Sequence, residues 1–144
     1  QMSDQHGYYL EDLSVGQSAR MARVVTEETI RKFAEISGDT NPVHMNDEFA
    51  KTTIFKGRIA HGMLAASYVS AVFGTQLPGP GCIFVSESLR FKAPVRIGDE
   101  VVACVTIRDI NLEKRRVTFD CACTVNDKVV MDGEALIMVD RRND

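Results

Sequence analysis

The chain has 144 residues, of which 44% are apolar, and its formal net charge is −3. This length predicts one domain with a packed core, and the apolar content excludes a disordered chain. The acidic balance, with no basic stripe along the sequence, argues against a nucleic-acid partner.

The first predicted helix begins at Thr26, a good N-cap residue, and ends at Gly38, which suits a C-cap. Ile30, Phe33 and Ala34 give this helix one apolar face. The stretch SGDTNPVH, residues 37–44, follows as a predicted loop that Pro42 stiffens. A second short helix is predicted to start at Asn46.

Residues 59–86 contain no Asp, Glu, Lys or Arg, and the segment GMLAASYVSAVFG within them is apolar or small on every side. A membrane-spanning helix needs about twenty apolar residues, so this shorter segment is not predicted to span a membrane. It predicts instead a helix that is buried on nearly all sides.

The pattern changes from helical to β-rich after Gly81. Four predicted strand segments follow, at residues 82–95, 100–110, 116–125 and 128–139, and Asn126-Asp127 suits a tight hairpin turn. A buried helix followed by long strands indicates an α+β fold in which an antiparallel sheet curls around the helix. Such a sheet leaves an edge exposed, which pairing with a second copy would cover.

The four cysteines show no paired CxxC spacing, so the sequence predicts no zinc site. Cys121 and Cys123 are two residues apart and therefore lie on one strand face, where they cannot easily bridge each other. We expect reduced, mostly buried thiols and a cytoplasmic or otherwise reducing compartment, such as the mitochondrial matrix. The N-terminus also lacks the pattern of a secretory signal.

Two groups in the predicted loop, Asp39 and His44, can move a proton near neutral pH. A turn residue and a structural histidine are the ordinary interpretation of such residues. However, the predicted helix opens with AHGM, and the free N–H of Gly62 at a helix N-terminus suits a developing oxyanion. A carboxylate, an imidazole and a backbone anion site together indicate water activation beside a carbonyl group.

The residues that carry this chemistry also carry a resemblance. FAEISGDTNPVHMNDEFA resembles the hydratase motif of the MaoC-like (R)-specific enoyl-CoA hydratases, which include short enzymes that feed polyhydroxyalkanoate synthesis. The likeness continues through AHGMLAASYVSAVFGTQLPGPG and LRFKAPVRIGDEV and spans Leu13 to Val139. It implies one MaoC-like hotdog hydratase domain over residues 1–144, with a curved antiparallel sheet around a long central helix.

The resemblance also implies roles for individual residues. In the family, the motif's Asp and His hold and activate a water and the Asn between them fixes the site, which maps onto Asp39, His44 and Asn41. The Gly62 N–H is the implied oxyanion hole. Asp39 is then the expected base and His44 is expected to position the water, with a proton for the α-carbon as its further possible role; the division of the proton transfer between the two stays open from the sequence.

Two residues are candidates for binding the acyl tail. Ser70 resembles a family position that lines the acyl pocket, although core packing is the alternative. Phe73 would stop long tails if its ring faces the pocket floor, whereas it limits nothing if it packs against the sheet. His61 is expected to be structural. Five cations are candidates for the phosphates of CoA: Lys56, Arg58, Arg90, Lys92 and Arg96.

The expected reaction is addition of water to a trans-2-enoyl-CoA, giving the (R)-3-hydroxyacyl-CoA, in a homodimer. No cofactor or metal is expected, because CoA is part of the substrate. The alternatives are a 3-hydroxyacyl-thioester dehydratase acting on acyl-carrier protein, a hotdog acyl-CoA thioesterase, and a non-catalytic acyl-CoA-binding module. Loss of Asp39 or His44 would mark the last of these, and both are present.

Overall fold

The computed structural model describes residues 6–143. A short 3-10 turn at Leu10–Asp12 precedes nine elements. In chain order these are β1 (Ser18–Val24), α1 (Glu27–Ser37), α2 (Pro42–Met45), α3 (Asp47–Lys51), α4 (Gly62–Thr75), β2 (Ile83–Phe91), β3 (Glu100–Asn111), β4 (Arg116–Val125) and β5 (Lys128–Met138). None of the helices in this part of the chain is long and apolar enough to cross a membrane.

The five strands form one antiparallel sheet in the order β1-β3-β4-β5-β2. The inward-facing residues of β3 and β4 alternate with outward-facing ones, as expected for a sheet with one buried face. On β4 these inward residues are Val117, Phe119, Cys121 and Cys123. Together with α4 they form the core, so the α+β hotdog architecture is confirmed.

The local signals for α1 are also confirmed. The Thr26 hydroxyl accepts a hydrogen bond from the Thr29 N–H, and Gly38 ends the helix with a φ of 80°. Asn46 caps α3 by accepting from the Phe49 N–H. Asn126 and Asp127 both have positive φ, which is the turn geometry that joins two strands in a tight hairpin.

Two predictions about helices were wrong in part. Residues 42–45 form one helical turn, α2, rather than a loop, because Pro42 occupies the first helical position, where its missing N–H costs nothing. The central helix α4 is buried on one side only. Its other side is exposed along a single stripe that consists of Met63, Ser67, Ser70 and Gly74.

Candidate active site

The backbone of the motif loop is held by its own side chains. Asp39 Oδ1 accepts a hydrogen bond from the Asn41 N–H at 3.2 Å, and Asn41 Oδ1 accepts from the Val43 N–H at 3.1 Å. Asn41 is therefore the N-cap of α2, and Asp39 keeps its second carboxylate oxygen free of this turn. Asp39 is exposed to solvent.

His44 lies on α2 and is only 8% exposed. Its Nδ1 is 2.8 Å from the Ile59 carbonyl oxygen. Because a carbonyl oxygen can only accept, Nδ1 carries the proton, and in the neutral ring Nε2 is an unprotonated acceptor. Burial lowers the pKa of the His44 imidazole, and the neighbouring His61 lowers it further, against the opposing effects of the Ile59 carbonyl and Asp39.

His61 lies between the two motif residues. It is 3% exposed, its ring stacks on that of His44 with centroids 4.0 Å apart, and its Nε2 donates to the Asp39 carbonyl oxygen at 2.9 Å. The ligand-type atoms of Asp39, His44 and His61 all lie within 4.8 Å of one another. Two groups that share one water can be up to about 5.6 Å apart, so this cluster has room for a bridging water.

Gly62 is the first residue of α4, so its N–H has no acceptor inside the helix. The N-cap residue His61 makes no side-chain capping bond to α4 either. A Cβ added at Gly62 would lie 3.0 Å from Cε1 of Phe91, so a side chain here would crowd that ring. The bare glycine thus leaves the positive end of a 14-residue helix open to a ligand.

A cavity of about 290 Å³ is lined by His44, His61 and Gly62, whereas Asp39 is not among its lining residues. His44, His61 and Gly62 lie at one side of it, and the rest of its lining is apolar apart from Lys92. The apolar lining residues are Phe55, Ile59, Ala60, Ala65, Phe91, Ala93, Pro94, Val95, Val130 and Met131. A small polar cluster at the side of an apolar cavity suits a substrate with a reactive carbonyl group and an alkyl tail.

Neither tail-binding candidate lines this cavity. Phe73 is 1% exposed and packs edge-on against the rings of Phe84 and Phe119, on the sheet side of α4. Ser70 lies on the exposed stripe of the same helix. The hypothesis that Phe73 limits tail length stays a prediction. Its test is Phe73→Ala, where unchanged relative rates across a chain-length series in a folded variant would contradict it.

Of the five cations considered for CoA phosphates, Lys92 is the one that lines the cavity. Lys92 and Arg90 both contact the Asp132 carboxylate, at 3.4 and 2.9 Å. Arg96 donates to the Phe55 carbonyl oxygen, and Arg58 is engaged with Glu27 and the His44 backbone. These contacts use guanidinium donors of Arg58 and Arg96 within the protein.

A sequence profile of the MaoC like domain matches residues 13–129. The chain belongs to the MaoC-like domain family. An (R)-specific enoyl-CoA hydratase from Rhodospirillum rubrum is 56% identical to it over 135 residues, which are 94% of each chain. A 3-hydroxybutyryl-CoA dehydratase from Methylorubrum extorquens is 46% identical over 136 residues, 94% of this chain and 87% of that protein.

The solved structure of an (R)-hydratase from Aeromonas caviae, described as involved in PHA biosynthesis, has a TM-score of 0.86 to this chain. It is 38% identical, and the match covers 90% of this chain and 98% of that one. The relatives of this MaoC-like chain are hydratases and dehydratases, so it is an enzyme of the lyase type.

Two further residues of the MaoC-like site lie against the motif residues. His61 was expected to be structural, and its contacts with the His44 ring and the Asp39 backbone fit that role, which stays a prediction. Arg58 was a candidate for the CoA phosphates, but its side chain is only 8% exposed and contacts Glu27 and the His44 backbone. No local sequence signal marks these contacts, because both cross to the motif residues from a distant part of the chain.

Proposed function

We propose that this protein adds water to trans-2-enoyl-CoA and forms the (R)-3-hydroxyacyl-CoA. One observation carries the proposal: a ring nitrogen of His44 lies within 4.8 Å of the Asp39 carboxylate, and His44 and Gly62 line the same largely apolar cavity. The names of the relatives supply the substrate class, since both sequence relatives are named for CoA thioesters.

In the proposed reaction the water oxygen bonds to the β-carbon and a proton reaches the α-carbon on the same face. The Gly62 N–H donates to the thioester oxygen, which gains negative charge as water attacks. Asp39 and His44 each accept one hydrogen bond from the attacking water. The cavity takes the alkyl tail and keeps bulk water from the enolate.

We assign the transferred proton to His44, because Nε2 holds none at rest and can deliver one only after receiving it from water. Asp39 then orients the water and stabilises the transient imidazolium. The sequence left this division open and favoured Asp39 as the base.

The proposed chemistry uses substrate, water and protein groups, with no cofactor. Asp39, His44 and His61 could also hold a metal ion, because a ring N–H donated to a carbonyl is a common arrangement around metal ligands. Treatment with a strong chelator followed by a hydration assay separates these possibilities. We expect full activity after chelation, and a loss that zinc restores would favour a metal site.

We also propose a homodimer. The exposed stripe of α4 and the edge strand β2 lie uncovered, and β2 exposes Ile83, Phe84, Val85 and Phe91. An edge strand of nine residues that exposes four large apolar side chains is an aggregation hazard unless a second chain pairs with it. Two copies joined at β2 would cover this edge.

A reducing compartment, such as the cytoplasm or the mitochondrial matrix, is proposed from the cysteines. All four are free thiols, and burial raises the pKa of Cys121 and Cys123 to about 12. Such thiols are unreactive and have no partner for a disulfide.

The proposed function is tested with crotonyl-CoA, whose enoyl absorbance disappears on hydration. We expect loss of absorbance without release of free CoA, as measured by a thiol reagent. Release of CoA from a saturated acyl-CoA would instead identify a thioesterase, and binding without turnover would identify a regulatory module. Faster turnover of the crotonyl thioester of acyl-carrier protein would favour the carrier-protein alternative.

A further inference from the structure

Arg58 connects three helices around the candidate site. Its Nη1 and Nη2 donate to the two carboxylate oxygens of Glu27, at 2.6 and 3.1 Å, and Glu27 is the first residue of α1. Nη1 is also 3.9 Å from the Asp47 carboxylate at the start of α3. The third donor, Nε, is 2.7 Å from the backbone carbonyl oxygen of His44 at the end of α2.

Arg58 and Ile59 supply hydrogen-bond donors to the last carbonyl groups of α2, and Ile59 also supplies the acceptor for the His44 ring. A helix of four residues cannot satisfy its own last carbonyl groups. The Val43 carbonyl accepts from the Ile59 N–H at 3.3 Å, and the His44 carbonyl accepts from Arg58. Since the His44 ring donates to the Ile59 carbonyl, two consecutive residues hold the backbone and the ring of His44.

We propose that Arg58, oriented by Glu27, is a positioning residue for His44 in the hydration reaction, an inference that rests on the proposed function above. Nothing in the described contacts puts Arg58 on the reacting atoms. It acts by fixing the position of α2 relative to α1 and α3, and so the direction in which Nε2 of His44 faces the water. A displacement of about 1 Å at a reacting group can cost about a hundredfold in rate.

The chemistry of this contact requires arginine. The planar guanidinium presents donors in fixed directions, so it can bind a carboxylate with two nitrogens while the third reaches a carbonyl. Lysine places a single ammonium at the end of a flexible chain and cannot occupy all three positions. Glu27 sets the plane of the guanidinium, and the Arg58 hydrogen bond lowers the pKa of the Glu27 carboxyl, which keeps it ionised.

The decisive variants are Arg58→Lys and Glu27→Gln, with Arg108→Lys as the matched control. Arg108 also binds two carboxylates, Asp120 and Glu134, but it does so on the outer face of the sheet. We expect Arg58→Lys to lower kcat for crotonyl-CoA by at least about tenfold, with KM changed less than about twofold. The control variant should keep the wild-type kcat, and the kcat of Glu27→Gln should lie between those of Arg58→Lys and Arg108→Lys.

Two further readouts separate positioning from simple support of the fold. In Arg58→Lys/His44→Gln, we expect no further loss of kcat beyond that of His44→Gln, because Arg58 acts through His44. The chain has three histidines, so 15N labelling resolves the His44 ring. Its spectrum should show one tautomer in the wild type and a mixture of both in Arg58→Lys.

A wild-type kcat and a single tautomer in Arg58→Lys would overturn the inference, and so would additive losses in the double variant. If Arg58→Lys fails to fold, Glu27→Gln decides, since Glu27 is exposed and its loss should be tolerated; an unchanged kcat there overturns the inference. A wild-type protein without hydratase activity would refute the proposed function instead. The tautomer measurement needs no turnover and would still test the contact.

Discussion

At the scale of single residues, the proton chemistry is set by which atoms already have partners. Asp39 Oδ1 accepts from the Asn41 backbone, and His44 Nδ1 donates to the Ile59 carbonyl. These bonds leave one carboxylate oxygen and one ring nitrogen for a water. The motif therefore depends on Asn41, which forms the turn, and on the Ile59 carbonyl, which fixes the tautomer of His44. Both are needed as much as Asp39 and His44 themselves.

We predict that Asp39→Asn and His44→Gln each lower kcat/KM for crotonyl-CoA by at least about a hundredfold. Each variant removes one acceptor from the same water, so the combined loss in the double variant should be less than the product of the single losses. Steady-state kinetics measure this, with circular dichroism as the control for folding. Near-normal rates in both single variants would remove the pair from the site.

The pH dependence of the reaction should follow the neutral form of His44. Burial lowers the pKa of the His44 imidazole, so kcat/KM should stay constant to below about pH 6.5, the ordinary value, and fall only at lower pH. The contribution of His44 to the free energy of unfolding depends on pH in the same direction, since the unfolded state binds the proton more readily. This contribution is complete above about pH 6.5 and is lost as the pH falls through the folded pKa. A pH–rate profile and an NMR titration of His44 measure both, and a fall in kcat/KM that begins above pH 6.5 would contradict the assignment.

At the scale of elements, the start of α4 supplies the hydrogen-bond donor that we assign to the thioester oxygen. Gly62 is the first helical residue, and His61 before it has an extended backbone with φ −60° and ψ 136°. A proline substituted at position 62 would fit this backbone, because proline is common at the first position of a helix and favours an extended residue before it. The backbone N–H can therefore be deleted without breaking the helix.

We predict that Gly62→Pro lowers kcat by about a hundredfold to a thousandfold, the usual effect of losing one oxyanion donor. Gly62→Ala is the control, since its methyl group also crowds Phe91 but its N–H remains. The ratio of kcat in these two variants isolates the hydrogen bond from the crowding. Equal losses in Pro and Ala would show that the N–H does not contribute.

The elements also show what could be predicted from sequence. The caps at Thr26 and Gly38 were predictable because they depend on neighbouring residues only. Strand β1 was not predicted, because none of its residues is fully buried and it forms by pairing with β3, far along the chain. The positions of Arg58 and His61 were likewise not predictable, since each depends on a contact with the motif loop some fourteen and twenty-two residues away.

At the scale of the whole molecule, we predict a dimer with twice the mass of one chain, joined through β2. Val85→Glu should weaken it, because the substitution would place a charge on an apolar edge where two copies meet. Leu112→Glu is the matched control, as this exposed residue lies in the turn between β3 and β4. Light scattering over a concentration series measures the effect, and an active wild-type monomer would contradict the dimer.

The stereochemistry of the product is the most direct test of the account. Water held by Asp39 and His44 on one face of a substrate anchored at Gly62 can attack the β-carbon from that face only. Chiral analysis of the product that wild-type enzyme forms from crotonyl-CoA should give (R)-3-hydroxybutyryl-CoA alone, and His44→Gln should form almost none in the same time. An (S) or racemic product, or the same yield from His44→Gln, would contradict the proposed site.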